Sequence, residues 1–364
     1  MDNTKIGNRE AIALLVTITF NHIILNITKT IIDTTASASL LNLLYIGIIA
    51  VIFTCMICYF LNKFPTFDII DISNYLGGNV LKWFIGLLYI AYFIFFSGIL
   101  LHMFASCLQI IYYPLTKLIY IVLILIIGTI VACNMKHNSI YRSIAIIFPF
   151  IVASILFLFF SDMRFFKVEK IYPIFGEGIF NTFVTGLVNM FAFQALAYIY
   201  FLPPKLKEPD KIKKISVTSI ILSCIFLILS VATIIFMFNG YVETDELMPL
   251  YSAVKYIEFG SFFQKMDSLF LLIWIISFVS YLSITIKFCS GIMQKLTNIA
   301  NDYLFTFLFG IALLIVSIWI KNYTFSTYFA GIVYKYAFII LVIGISFIIL
   351  LLSTIKQKVR KWFK

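Results

Sequence analysis

Long apolar runs dominate the chain and recur at intervals typical of membrane-spanning helices. A helix needs roughly 20 apolar residues to cross a hydrocarbon core of about 30 Å. Runs such as YIVLILIIGTIVA show no alternation of apolar and polar residues, which argues against the strands of a transmembrane barrel. The pattern therefore predicts an all-α polytopic membrane protein with about ten transmembrane helices, numbered 1 to 10. Their approximate bounds are 11–31, 38–61, 81–111, 115–135, 140–161, 180–202, 215–239, 268–290, 302–320 and 333–355.

Composition supports this assignment for the whole chain. Hydrophobic residues make up 62% of the sequence, charged residues only 12%, and the mean hydropathy is +1.06. A soluble domain cannot cover that much apolar surface. We therefore expect one integral membrane domain over residues 1–364.

Two predicted helices carry polar residues where a plain membrane helix would avoid them. Helix 1 contains Asn21, His22 and Asn26, and helix 6 contains Gly186, Asn189 and Gln194. Unpaired amides are costly in hydrocarbon, so these stretches are candidates for interrupted helices.

The positions of these interruptions predict an internal repeat. Ten helices divide into two sets of five, and helices 1 and 6 open the two sets. The first repeat would span 11–161 and the second 180–320, with helix 10 at 333–355. Interrupted helices at corresponding positions point to the ligand site of an inverted-repeat transporter. The alternative is that each amide pairs with a neighbouring helix and serves only packing.

The distribution of positive charge predicts the orientation of the chain. With the N-terminus inside, the 27 Lys and Arg residues divide 18 to 9 in favour of the inner loops and ends. Positively charged loops stay in the cytoplasm. We therefore expect both termini to be cytoplasmic, with residues 356–364 as a basic cytoplasmic tail.

Outside the apolar runs, few residues suggest chemistry. The sequence shows no metal-ligand spacing, phosphate-binding glycine loop or catalytic carboxylate pair, so neither an enzyme, a metal nor a cofactor is expected. The long connection 240–267 has apolar residues at helical spacing, which predicts a short helix on the outer surface.

Several segments resemble the membrane-permease-like B subunit of bacterial spore germinant receptors. They include KWFIGLLYIAYFIFFSGILLHMF, TGLVNMFAFQALAYIYFLPP and the stretch Phe263-Gln264-Lys265-Met266-Asp267 that leads into Ile273-Trp274. The resemblance extends over nearly the whole chain. That family is similar to amino acid–polyamine–organocation (APC) transporters, which implies a LeuT/APC-like five-plus-five inverted repeat with discontinuous helices 1 and 6.

The resemblance also implies where a ligand would bind and where this chain departs from its relatives. Helix 1 has Phe20-Asn21-His22-Ile23 where relatives tend to be rich in glycine. Helix 6 has Phe193 and Gln194 where the family often shows a glycine and an acidic residue. The expected ligand-binding set is Asn21, His22, Ile23, Asn26, Gly186, Asn189, Phe193 and Gln194.

Sodium-coupled relatives use helix 8 hydroxyls to bind a cation, and Ser277 and Ser280 are the candidates in this sequence. Serines in membrane helices also bond to the preceding turn of their own helix, which is the alternative reading. Ionisable residues are scarce inside the spans, which favours sensing over ion-coupled transport.

The functional expectation is a nutrient-sensing subunit of a spore germinant receptor in the inner spore membrane. Its ligand would be a small nutrient, an amino acid, and its partners would be the other receptor subunits and membrane lipid, with no nucleic acid. The alternative is a secondary amino-acid transporter that acts alone.

Overall fold

The computed structural model describes residues 5–135, 139–238, 249–255, 257, 266–320 and 322–362, and it is almost entirely helical. Seven helices are long and apolar enough to cross a membrane, and the shorter helices Leu118–Asn134 and Ile179–Ala192 are also apolar. The described residues form no β-strand, and Ile6 and Leu206 make an isolated parallel β-bridge. The predicted all-α membrane fold is confirmed.

Ten helical segments in the described residues correspond to the ten predicted helices. Three of them are composite: α1 covers 8–35, α6 covers 179–199 and α10 covers 323–362. The other seven are α2 (Ser39–Leu61), α3 (Ile69–Tyr112), α4 (Leu118–Asn134), α5 (Ser139–Asp162), α7 (Ile212–Met237), α8 (Met266–Thr297) and α9 (Asp302–Trp319).

Some helices extend beyond their predicted bounds. Capping residues begin α10 and the first segment of α3 before the apolar runs start, and α8 continues past the predicted end at 290 to Thr297. Helix α3 starts at Ile69, where the Asp68 carboxylate accepts hydrogen bonds from the backbone N–H groups of Ile70 and Asp71. Helix α10 starts at Tyr323, and the Asn322 side chain accepts from the Phe325 N–H. At the other end, α10 continues to Trp362, so the predicted basic tail is helical up to that residue.

Helix α3 bends near its start. Gly77 and Gly78 have non-helical dihedrals, and Gly78 has a φ of 69°, a conformation that favours glycine. The bend separates a short first segment from the longer apolar stretch that crosses the membrane.

Helices pack with their counterparts from the other half of the chain. Helix α2 packs against α7, α3 against α8, and α4 against α9. Helix α1 lies between α5 and α7 and also contacts α6 and α8. This arrangement is the one expected of a five-plus-five repeat, and it places α1 and α6 at the centre.

Regular α-helical hydrogen bonding is interrupted in both α1 and α6. In α1, Asn8–His22 is followed by a π-helical stretch, Ile23–Ile27, before Thr28–Thr35 resumes the α-helix. In α6, Ile179–Phe183 and a 3₁₀ stretch, Thr185–Ala192, precede the short helix Ala195–Ile199. Phe193 has a ψ of 58° and interrupts the helix there. The predicted interruptions exist, but the one in α1 is a widened turn instead of an unwound stretch.

The predicted surface helix in the connection 240–267 is in fact buried. A short helix forms at Pro249–Lys255, and its residues from Pro249 to Val254 are buried against α7 and α8. The hydroxyl of Tyr251 anchors it through hydrogen bonds to the Tyr112 hydroxyl and the Asp267 carboxylate, each 3.1 Å long. Phe263, Gln264 and Lys265 lie outside the described residues.

Candidate functional site

The irregular stretches of α1 and α6 meet polar and aromatic side chains from α3, α8 and α10. We call this set the central cluster: His22, Tyr92, Gln194, Tyr281 and Tyr334. Each of these side chains is at most 6% exposed, so the cluster is closed off from both faces. It lies where the sequence predicted a ligand site, between helices 1 and 6.

Gln194 links the interruption in α6 to α3. Its Oε1 accepts a 2.8 Å hydrogen bond from the Tyr92 hydroxyl, and its Nε2 donates a 3.0 Å bond to the carbonyl of Phe191. The amide is therefore oriented by a neighbouring helix and by its own 3₁₀ turn. This geometry satisfies the polar group that made helix 6 unusual in the sequence.

His22 extends the cluster from α1 to α8 and α10. Its ring stacks on Tyr334 at a centroid distance of 5.7 Å and meets Tyr281 edge-on at 5.4 Å. Its hydrogen bond between Nδ1 and the Tyr334 hydroxyl is long, at 3.4 Å. The Tyr281 hydroxyl pairs with Ser97 Oγ of α3 at 2.8 Å. The imidazole is thus held mainly by ring contacts, which leaves its polar edge weakly engaged.

Asn21 faces α8 instead of the central cluster. Its Nδ2 donates to the Thr17 carbonyl at 2.8 Å, to Ser277 Oγ at 2.9 Å and to the Ser277 carbonyl at 3.3 Å. The Ser280 hydroxyl bonds to the carbonyl of Ile276 at 2.8 Å, in its own helix. Ser277 and Ser280 are therefore not brought together, and the oxygens of Ser277 already accept from an amide.

Asn189 belongs to a second polar group, nearer the start of α6. Its Nδ2 donates to Asn42 Oδ1 of α2 at 3.0 Å, and its Oδ1 accepts from the Thr34 hydroxyl of α1 at 3.1 Å. Asn42 in turn donates to the Thr182 carbonyl. A Cβ at Gly186 would overlap the Asn42 amide, so the glycine permits this close approach. These residues join α1, α2 and α6, as polar packing contacts do.

The remaining predicted residues point away from the cluster or are not described. Ile23 lines a small cavity of about 10 Å³ between α1, α5, α7 and α8, with room for one water molecule at most. Phe193 is fully buried on the side of Gly47 in α2. The side chain of Asn26 lies outside the described residues.

Sequence reasoning missed the three tyrosines of the cluster. A buried tyrosine hydroxyl in a membrane helix needs a hydrogen-bond partner, so Tyr92, Tyr281 and Tyr334 could have been flagged on that ground. With 21 tyrosines in the chain, that signal alone does not separate these three from the others.

Charged residues lie at both ends of this central region. On the face that carries both described ends of the chain, the Lys295 ammonium pairs with Asp68 at 2.6 Å and also with Asp71. We call these three residues the terminal clamp, because they tie the start of α3 to the end of α8. On the opposite side, the Lys335 ammonium lies 5.5 Å from the ring centroid of Phe191. Phe191 contacts Tyr334 edge-on and so covers the cluster.

Comparison with known families gives a match along most of the chain. A family model described as "Spore germination protein" matches residues 5–326. Spore germination protein B2 of Bacillus subtilis (strain 168) is 22% identical over 343 residues, which cover 92% of each protein.

Comparison with solved structures shows the fold. Mhp1, a nucleobase-cation-symport-1 family transporter in a closed conformation with bromovinylhydantoin bound, matches with a TM-score of 0.72 and 13% identity. That match covers 94% of this chain and 78% of Mhp1. A substrate-bound, Na⁺-coupled sialic acid symporter in an outward-open state matches with a TM-score of 0.65 and 10% identity, covering 93% and 79% of the two chains.

Proposed function

Because this chain belongs to the spore germination protein family, we propose that it is the nutrient-sensing membrane subunit of a bacterial spore germinant receptor. In this proposal it lies in the inner membrane of the spore with both termini in the cytoplasm. A small nutrient, an amino acid, binds between the irregular stretches of α1 and α6. Binding then alters the contacts of this subunit with the other receptor subunits.

The central cluster carries the proposal. It joins both irregular helices to α3, α8 and α10 through buried side chains, so a ligand there would touch every helix whose position it must influence. Interrupted helices leave main-chain groups free to bind a ligand. The π-helical stretch Ile23–Ile27 directly follows His22, and such stretches occur frequently at functional sites.

The chemistry of the cluster supports an amino acid as the ligand class. Its side chains are neutral hydrogen-bonding groups and aromatic rings. Aromatic faces attract an ammonium group. The rings of Tyr281 and Tyr334 can supply such faces. The interruption of α6 at Phe193 is where we propose that main-chain N–H groups bind the carboxylate. A zwitterion can thus be held without an oppositely charged side chain.

Sensing is supported over sodium-coupled transport by the contacts of Asn21. The Ser277 oxygens that a helix 8 cation site would use accept hydrogen bonds from the Asn21 amide. A cation there would have to displace that amide. A subunit that binds its ligand and shifts between two arrangements needs no coupling ion, only a difference in affinity between the two arrangements.

The terminal clamp is the proposed element that changes. It holds α3 against α8 on the same face as the backbone bonds between Ile6 and the α6–α7 connection. There the Ile6 N–H donates to the Lys205 carbonyl at 2.8 Å, and the Lys207 N–H donates to the Ile6 carbonyl at 3.0 Å. A nutrient that favours one packing of α1 and α6 would bias these contacts and so reach partner subunits.

Substitution of His22 and of its hydrogen-bond partner Tyr334 tests the site. We expect His22→Phe and Tyr334→Phe, which keep the aromatic packing, to raise the amino-acid concentration needed for half-maximal germination about tenfold, as for loss of one buried hydrogen bond to ligand. The dose response would be recorded on spores that carry each variant, with each amino acid tested separately.

Ser280→Ala is the matched control, because that hydroxyl bonds only within α8 in the described contacts. It should leave the dose response unchanged. Wild-type responses from both cluster variants, at normal protein levels, would refute the assigned site.

A further inference from the structure

A large cavity opens on the face that carries the terminal clamp, apart from the central cluster. Its volume is about 840 Å³, within the range of small-molecule sites. It lies between the start of α5, the α6–α7 connection, the end of α8 and the start of α9. The residues that matter here are Tyr141, Lys205, Lys287, Gln294, Asn301 and Tyr303.

The cavity has a buried floor and an open mouth. Tyr141 is buried, and Lys205 and Lys287 are half-buried, whereas Asn301 and Tyr303 are exposed. A solute from the adjoining solvent or membrane surface can therefore reach the two lysines.

Among the described residues, the Lys205 ammonium has no direct counterion. Its Nζ lies 4.8 Å from the ring centroid of Phe288, and no carboxylate of the described residues lies within ion-pair distance of it. Burial lowers the pKa of the Lys205 ammonium, and the nearby Asp68 carboxylate partly opposes that effect. A partly buried cation without a paired anion has lost some of its hydration without compensation, so binding an anion here would be favourable.

The other charges around the cavity are paired with one another. The Lys287 ammonium pairs with Asp302, and that carboxylate also accepts from Ser290 and Gln294. The lining thus holds two lysines and one aspartate. The terminal clamp next to it contains one lysine and two aspartates, but these residues do not line the cavity.

The floor and mouth also offer neutral donors. Asn301 Oδ1 accepts a hydrogen bond from the Leu304 N–H. The Nδ2 group of Asn301 can therefore donate to a ligand. The tyrosine hydroxyls of the lining can donate as well. Ammonium and hydroxyl donors that converge on one cavity suit the oxygens of a phosphate group.

We propose that this cavity is an oxyanion site, in which Lys205 binds the phosphate group of inorganic phosphate or of an anionic phospholipid. Lys205 belongs to the α6–α7 connection, whereas most of the lining belongs to α8, α9 and the connection between them. A bound phosphate would therefore hold the end of α6 against α8 and α9. Since the Lys205 carbonyl also accepts from the Ile6 N–H, the bound anion would stabilise the contacts of this face as the structure shows them.

Phosphate titration of the purified full chain tests the proposal. In neutral detergent, phosphate should raise the unfolding temperature saturably relative to chloride at equal ionic strength. In Lys205→Met the apparent dissociation constant should rise at least about tenfold, because a hydrogen bond to a charged group is lost. Lys213→Met, which removes an exposed lysine at the start of α7, should behave as wild type.

Lipid retention separates the two sources of phosphate. If native mass spectrometry shows phosphatidylglycerol retained by wild type and Lys213→Met but lost from Lys205→Met, the site binds a lipid headgroup, whether or not free phosphate also binds. Saturable stabilisation by phosphate without lipid retention assigns the site to the free anion. The proposal is overturned if neither probe binds, or if both bind Lys205→Met as well as wild type. Either result is independent of the nutrient site.

Discussion

The buried side-chain amide of Asn21 occupies the oxygens that a cation site on α8 would use. Its two amide hydrogens serve three oxygens, the Thr17 carbonyl and both oxygens of Ser277, at 2.8–3.3 Å. The two carbonyls belong to regular helices and keep their backbone N–H partners, so the Ser277 hydroxyl oxygen is the acceptor that would lose its donor without the amide. Asn21 therefore links α1 to α8 and lies away from the central cluster, where we propose that the nutrient binds.

Replacing this amide should lower stability more than removing one of its acceptors. We expect Asn21→Leu to reduce the free energy of unfolding by roughly 1–2 kcal/mol, since the buried hydrogen bonds that join α1 to Ser277 of α8 are lost. Ser277→Ala should have a smaller effect, because the Thr17 and Ser277 carbonyls still accept from Asn21. Thermal unfolding in detergent would measure both. A stable Asn21→Leu variant that had lost its nutrient response would instead place Asn21 in contact with the ligand.

For single residues, the sequence identified the unusual polar side chains, but it did not identify their hydrogen-bond partners. Asn21, His22, Asn189 and Gln194 stand out because polar groups inside apolar runs need partners. Which partner each one finds depends on which helix faces it, and that is set by packing across the two repeats. Gln194 bonds to Tyr92, about 100 positions away in the chain, and no local pattern announces this contact.

Helices α1 and α6 differ in how their interruptions arise. In α6 the 3₁₀ stretch, the non-helical Phe193 and the short final helix divide the span into pieces. In α1 the chain keeps helical dihedrals, and the π-helical stretch only widens the turn. The sequence pattern located both interruptions, but the type of turn depends on tertiary contacts that periodicity does not encode.

Removing the cation of the terminal clamp tests whether this clamp holds the start of α3 against α8. In Lys295→Met, the carboxylates of Asp68 and Asp71 would lose their shared cation, and the start of α3 should separate from α8. We expect amide hydrogen exchange at Ile6 and Lys207 to become roughly tenfold faster. This corresponds to a decrease of about 1–2 kcal/mol in the free energy of local opening when the partly exposed ion pairs of the clamp are lost. Hydrogen–deuterium exchange with mass spectrometry would detect it.

Lys356→Met provides the matched control for the clamp. Lys356 donates to the backbone carbonyls of Tyr75 and Leu76 in the same segment of α3, and no carboxylate of the described residues forms an ion pair with it. Its loss should leave exchange at Ile6 and Lys207 unchanged. Equal acceleration in the two variants would mean that the clamp has no special role in closing this face.

For the whole molecule, the fold was the most predictable level. Long apolar runs determine the number of helices, and the paired interruptions indicate the two repeats, because both follow from the cost of unpaired polar groups in lipid. The short helix Pro249–Lys255 was misplaced, since its apolar residues suit a buried position as well as an interface. The repeat boundaries at 11–161 and 180–320 remain predictions.

A transporter fold alone does not distinguish a sensor from a transporter, so the decisive property is turnover. We propose that this protein binds an amino acid at the central cluster and does not carry it across the membrane. Binding and counterflow can be measured on one preparation, which makes the comparison independent of protein quality.

The measurement is made on purified protein in liposomes preloaded with an unlabelled amino-acid mixture, to which each labelled amino acid is added in trace amounts. Counterflow requires no knowledge of a coupling ion. Our account predicts saturable binding of at least one amino acid, weakened by His22→Phe, with no labelled uptake above that of protein-free liposomes. Saturable uptake would show a transporter and contradict the sensing mechanism, and the absence of any binding would contradict the site itself.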